Sequence, residues 1–140
     1  MPVPCSWWNA PMHDWAHEII AKHITAASEA LAAFCSKPRS AKRLHKARKE
    51  LARLRAALAD LGRLAGVDGA FYERIELLHK RAGKVRDADV LVARVDEYRD
   101  RTHGEERVQL AHLRKELCKR RKRARRKLER VMAQFPGLRQ

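Results

Sequence analysis

The chain has 140 residues, 45% of them hydrophobic and 35% charged, with a formal net charge of +15. That length supports one domain with a core but not two, and the apolar share excludes disorder throughout. No run is long and apolar enough to span a membrane, and Met1–Ala10 lacks the basic and apolar regions of a secretory signal.

Cys5, Cys35 and Cys118, odd in number and scattered, fit reduced thiols in a cytoplasmic protein better than a disulfide framework or a zinc site. The positive charge is local. Arg39 to Arg63 carries a net +7, Arg114 to Arg130 a net +9, and the remaining residues together −1. Such concentrated fields attract polyanions and speed their association.

Residues 1–12 form a segment rich in Trp and Pro, with Trp7, Trp8 and, just beyond it, Trp15 among Pro2, Pro4 and Pro11. Two readings stay open for these rings: a flap over the bundle's apolar end, or a stacking platform for a partner. No tryptophan lies among the basic segments, which argues against a single-strand nucleic-acid groove.

Residues 13–135 read as one helical domain, followed by a tail at 136–140. Pro38, the glycines at 62, 66 and 69, Gly104 and Pro136-Gly137 divide it into four helices. The first runs from about His13 to Cys35, with Ile19, Ile20, Ile24, Leu31 and Phe34 on its apolar side. The second spans about Ser40 to Leu64. The third follows Asp68, an N-cap, and ends near Arg99. The fourth opens on Thr102-x-x-Glu105, a capping box, and ends near Phe135. No stretch alternates with the period of a strand, so the fold class is all-α: an antiparallel four-helix bundle with long helices.

On the second helix Leu44, Ala47, Leu51, Leu54 and Leu58 form a core stripe. Beside it runs a basic stripe of His45, Arg48, Lys49, Arg55 and Arg63, interrupted by Ala52, with Arg53 at its edge. Arg offers a planar fork to successive phosphates along such a face. Lys37, Arg39, Lys42 and Arg43 crowd the start of this helix against its dipole, as expected if an anion sits there. In the third helix, Gly83 points to close approach by another helix or a ligand. Asp89 falls on the core face, where a carboxylate must be paired; Arg86 or a cation of the second helix is the expected partner. On the fourth helix Leu110, Leu113, Leu117, Ala124, Leu128, Val131 and Phe135 form the seam. Arg121 lies inside it and Arg114 and Arg125 at its border, so Arg121 needs Asp89 or a bound phosphate. The run Lys119–Lys127 wraps nearly the whole circumference, and most of it is expected to be solvated.

Two of these segments together resemble a known family. Leu44-His45-x-x-Arg48-x-x-x-x-Arg53-Leu54-Arg55-x-x-Leu58, followed by Leu78-x-x-x-x-Gly83-x-x-Arg86-Asp87-x-Asp89-Val90-Leu91, is similar to the two signature helices of the CHAD family, the conserved histidine α-helical domain. The resemblance implies two similar four-helix halves around a basic pore that binds inorganic polyphosphate without catalysis. By position it makes His45, Arg48, Arg53, Arg55 and Arg86 binding residues, with Lys49, Lys80 and Lys84 as contributors. Arg114, Arg121 and Arg125 are candidate contacts from the fourth helix, and Asp89 is a structural ion-pair partner. Ala52 stands where the family often has a second adjacent Arg. Only one four-helix half is present, so either two chains pair as a homodimer whose twofold axis rebuilds the pore, the favoured reading, or a single basic groove does the binding.

The runner-up is a nucleic-acid binder without sequence preference, since basic helices and the patch at Lys119–Lys127 suit duplex phosphates equally. An enzyme is the weakest class. His13 and His17, with Asp14 and Glu18 nearby, have metal-ligand spacing but lack a third ligand and a flanking motif. No nucleophile–base pair or glycine-rich phosphate loop is evident, and no cofactor is expected. The expected place of action is the cytoplasm, with polyphosphate granules as one location.

Overall fold

The computed structural model of the protein describes the backbone of residues 5–134 and the side chains of residues 14–134. Trp7, Trp8, His13 and Phe135 therefore lie outside the described side chains. Four helices follow in order: α1 (Cys5–Ser36), α2 (Ala41–Leu61), α3 (Gly69–Arg101) and α4 (Glu105–Ala133), with no strand among the described residues. The protein is an all-α bundle. Helix α1 begins at Cys5 rather than near His13, so much of the segment set apart at 1–12 continues the first helix.

Capping follows local chemistry. Ser40 precedes α2 in an extended conformation, and its hydroxyl accepts from the Arg43 N–H at 3.2 Å. Asp68 does the same for α3, accepting from Ala70 N–H at 3.2 Å. The capping box expected at Thr102 is not formed. Thr102 instead closes α3, its hydroxyl donating to the Arg99 carbonyl, and Gly104 takes the N-cap position at φ 66°. A positive φ suits glycine alone at little cost, so the turn is sharper than a Thr cap would allow. Glu105 and Glu106 then occupy the first turn of α4, where carboxylates complement the helix dipole.

The packing is sequential. Helix α1 lies on α2, α2 on α3 and α3 on α4, while among the described residues α1 and α4 make no close backbone approach. Side chains bridge that gap at one end, where Glu129 and Met132 of α4 share a cavity with Phe34, Cys35 and Pro38. One core draws on all four helices: Ile20, Leu31 and Phe34, then Leu44, Leu51 and Leu54, then Ile75, Leu78 and Val85, then Leu128, Val131 and Met132. Helix α3 has 33 residues against 21 in α2 and outruns it by roughly 18 Å at 1.5 Å per residue. A second, smaller cluster, Val92, Val95 and Leu117 with Leu110 and Cys118, is built from α3 and α4 alone. Leu113, expected in the α4 seam, is instead exposed, because α4 finds only α3 to pack against at that level.

Asp89 is the buried charged residue among the described side chains, 8% exposed. Its partners come from α4: Arg121 at 3.5 Å and Arg125 at 3.6 Å. Neither Arg86 nor a cation of α2 pairs with it, because the core face of α3 has turned toward α4 at this level. Replacing Asp89 by Ala leaves two guanidinium groups facing each other without a counter-charge. The expected loss is about 1–4 kcal/mol of stability, read as a lower urea midpoint with the slope unchanged.

Candidate anion-binding site

The expected basic stripe of α2 divides on folding. Arg48 and Arg55 flank the core stripe on the side that meets α3, seven residues apart. Arg48 lays its guanidinium over Gly83, whose Cβ, were there one, would sit 3.7 Å from Nε. Seven residues on, Arg55 pairs with Glu76, seven residues back on α3, at 3.4 Å. Two antiparallel helices produce this matched stepping, and it places both guanidinium groups in one groove. Arg55, His79 and Lys80 also line a cavity of about 510 Å³ there, with Glu73, Glu76 and Leu77.

The rest of the stripe lies elsewhere. His45, Lys49 and Arg63 are exposed, and Arg53 turns to another flank, where it pairs with Glu50 at 2.7 Å. A helix wheel draws these residues on one broad face, but the groove narrows that face to the two positions nearest α3. The cations at the start of α2 also divide. Arg43 folds back onto α1, donating from Nη1 to the Ala33 carbonyl at 2.8 Å and to Ser36 Oγ at 2.7 Å. It caps the C-terminal turn of α1, where a cation suits the dipole, and needs no anion to explain it. Arg39 lies near enough to Arg125 to act on it electrostatically.

Among the α3 and α4 candidates, Arg86 is partly buried and forms no ion pair among the described residues; Lys80 and Lys84 are exposed. Arg114 sits on the α3–α4 hairpin, bound to Asp96 at 2.5 Å and 3.4 Å by two nitrogens, a fork that leaves little of it for another anion. Arg121 and Arg125 share the single carboxylate of Asp89. Burial first, then Arg121 and Arg39, holds the Arg125 pKa below its ordinary value; Asp89 acts against that shift. Two cations on one carboxylate leave a residual positive charge in a partly enclosed place.

His79 was not anticipated from the sequence. It lies at i−4 from Gly83 on the flank of α3 that faces α2, and that spacing was the available signal. Burial, then Arg48 and Arg55, pushes its imidazole below the ordinary value of 6.5, while Glu76 pulls the other way. Also unanticipated is a cavity between α3 and α4, lined by Arg81, Lys84, Arg120, Arg123, Ala124 and Lys127, in which Lys84 is the single residue expected to bind polyphosphate. No three His, Cys, Asp or Glu side chains converge as metal ligands among the described residues.

A family model described as the CHAD domain matches residues 18–136 of the chain. The protein belongs to the CHAD domain family. A search of curated proteins and a search of solved structures each returned no match. CHAD domains are associated with polyphosphate binding, and the match covers both helices that meet at Arg48 and Gly83.

Two outcomes test this CHAD groove. The Cβ of Gly83→Ala meets Arg48 at ordinary contact distance, so the variant gains roughly 0.5–1 kcal/mol from helix propensity. Gly83→Leu displaces the guanidinium and abolishes the gain; urea titrations of both variants check this. The second outcome concerns pH. The unfolded chain protonates His79 near 6.5 and the folded chain does so only at lower pH. Its contribution to stability is complete above 6.5 and is lost as pH falls through the folded value. Melting temperatures of His79→Gln should show a shallower decline than wild type below pH 6.5.

Proposed function

We propose that this CHAD protein binds inorganic polyphosphate without catalysing its turnover, through the α2–α3 groove and the Arg121–Arg125 pair of α4. The observation that carries the reading is the setting of Arg48 over Gly83, two turns from Arg55, with His79 between them. Two guanidinium forks about 10 Å apart along one helix can take successive phosphates of a linear chain. Cations outnumber acids here, Arg48, Arg55 and Lys80 against Glu73 and Glu76, and Glu76 answers Arg55 while Arg48 and Lys80 have no ion pair among the described residues. Within the proposal, His45, Lys49, Arg53 and Lys84 are outer contacts met by a chain that runs past the groove. Arg114 is the weakest member, being held by Asp96.

Assembly belongs to the same proposal. Leu91 and Tyr98 on α3, with Val108 and Leu113 on α4, are exposed on the hairpin beyond the main core. A second copy covering them would set two basic grooves about one axis. The proposed place of action is the cytoplasm, at polyphosphate granules. No helix of the described residues is long and apolar enough to cross a membrane.

Calorimetric titration with polyphosphate, with mass measured in the same buffer, tests binding and assembly together. Arg48→Ala/Arg55→Ala should weaken binding and lower the slope of log affinity against log salt by about two, with helicity unchanged. Equal affinity in that variant removes the groove from the site. A phosphate beside His79 would raise its pKa, so affinity should also rise as pH falls from 7.5 to 6, a dependence lost in His79→Gln. Duplex DNA supplied at equal charge concentration should fail to displace polyphosphate. Displacement would instead favour general nucleic-acid binding, for which the basic patch at Lys119–Lys127 is the supporting observation.

A further inference from the structure

The strongest unassigned feature lies on the opposite flank of α3 from Arg48. Arg81 and Lys84 stand there at i, i+3, and they face Arg120, Arg123 and Lys127 of α4 at i, i+3, i+7. Together with Ala124 these residues line a cavity of about 250 Å³. Five cations meet there, and no carboxylate is among the lining residues. None of the five forms an ion pair among the described residues, whereas Arg53, Arg55, Arg114, Lys119, Arg121 and Arg125 all do. Arg81 adds an independent sign. Its Nε is buried with no hydrogen-bond partner among the described residues, a state shared with Nε of Arg99 and Arg125, and of the three Arg81 is the one that lines this cavity.

Because the cations of α4 run around its whole circumference, some of them must face α3; what folding does not supply is a counter-charge, and like charges across an interhelical groove repel. The small Ala124 leaves room that a larger residue would fill. The arrangement has the attributes of an anion pocket: a partly open recess, convergent donors from two helices, planar forks and flexible ammonium groups, and an unsatisfied buried donor.

We propose that the α3–α4 cavity is a separate subsite for a short condensed phosphate, such as a triphosphate group. Its ligand class rests on the polyphosphate reading above, but its location does not, because Gly83 and Arg81 lie on opposite flanks of α3. A half-open pocket of this volume suits the end of a phosphate chain or a free triphosphate, whereas the wider α2–α3 groove suits a long chain passing through. Lys80 lines the groove and Lys84 the cavity, one turn apart on α3.

The test uses the full chain and calorimetry with inorganic tripolyphosphate at fixed ionic strength. Arg120→Gln/Arg123→Gln changes two exposed residues and keeps the fold; Arg81→Gln is the second variant, with circular dichroism to verify helicity. Wild type should bind one tripolyphosphate per chain. Each cavity variant should lose at least tenfold in affinity, and Arg48→Gln/Arg55→Gln should change it less than twofold. Unchanged affinity in the folded cavity variants overturns the subsite. So does an equal loss in the α2 variant, equal binding of sulfate, or no binding by wild type. If long polyphosphate binds but tripolyphosphate ignores the cavity, the subsite fails alone. If tripolyphosphate follows the cavity and long chains do not bind, the polyphosphate reading fails alone. ATP as a further probe separates the sources: affinity equal to tripolyphosphate assigns the pocket to a nucleotide's triphosphate tail, and markedly weaker affinity assigns it to an inorganic chain end.

Discussion

A carboxylate buried among valines and alanines sets the terms for this fold. Asp89 cannot be taken from water alone, and the two cations it requires come from Arg121 and Arg125 on the fourth helix. The dependence is mutual. Arg121 lies within the apolar seam of α4, and without a partner it would hold that seam away from α3. Once the pairs form, Leu128, Val131 and Met132 can join the core that α1, α2 and α3 have built. A small polar contact thus lets the most charged helix pack its apolar seam on α3 without an unpaired buried charge. It also leaves a surplus, since one carboxylate faces two guanidinium groups and Arg39 is close by.

That surplus is general to the molecule. Helices α2 and α4 carry far more cations than the acids beside them can answer. The fold answers some by ion pairs, turns others to solvent, and uses Arg43 to cap α1. What remains is gathered on two flanks of α3. On one flank Gly83 provides the space for Arg48, so the missing side chain shapes the groove as much as the arginine does. On the other flank Arg81 and Lys84 face three cations of α4. Helix α3 is therefore the central element electrostatically as well as in packing, with a basic helix on each side and its own charges directed to both.

The open packing matters to this arrangement. If α1 and α4 closed against each other, the bundle would present four equivalent outer grooves. Because the helices pack in sequence, α3 and α4 project past α2 with only a thin apolar cluster between them, and Leu91, Tyr98, Val108 and Leu113 stay exposed. The projecting hairpin keeps its register through Arg114 and Asp96, seven residues back along α4 from Arg121 and seven on along α3 from Asp89. Matched heptad steps recur between α2 and α3, so the same spacing that buries the core also sets which cation meets which acid.

Much of this was determined by the sequence alone. Apolar periodicity marked all four helices, Ser40 and Asp68 marked two starts, and Leu44 through Leu58 marked the core face of α2, because burial and capping depend on residues within a turn or two. The paired motifs around His45-x-x-Arg48 and Gly83-x-x-Arg86 marked the family. Tertiary structure decided the rest. A helix wheel places Arg48, Lys49 and Arg53 near one another but does not contain the neighbouring helix that selects Arg48 for the groove and leaves Arg53 to Glu50. It puts Asp89 on the core face without saying which helix lies opposite, so Arg86 looked as suitable as Arg121. The Thr102 box failed because the turn needed a positive φ at Gly104. Arg120, Arg123 and Lys127 share one face at i, i+3, i+7, yet within a run of cations covering the whole circumference no face stands out until α3 is laid against it. Local spacing determines which side of a helix a residue occupies, and only the register between helices decides what that side meets.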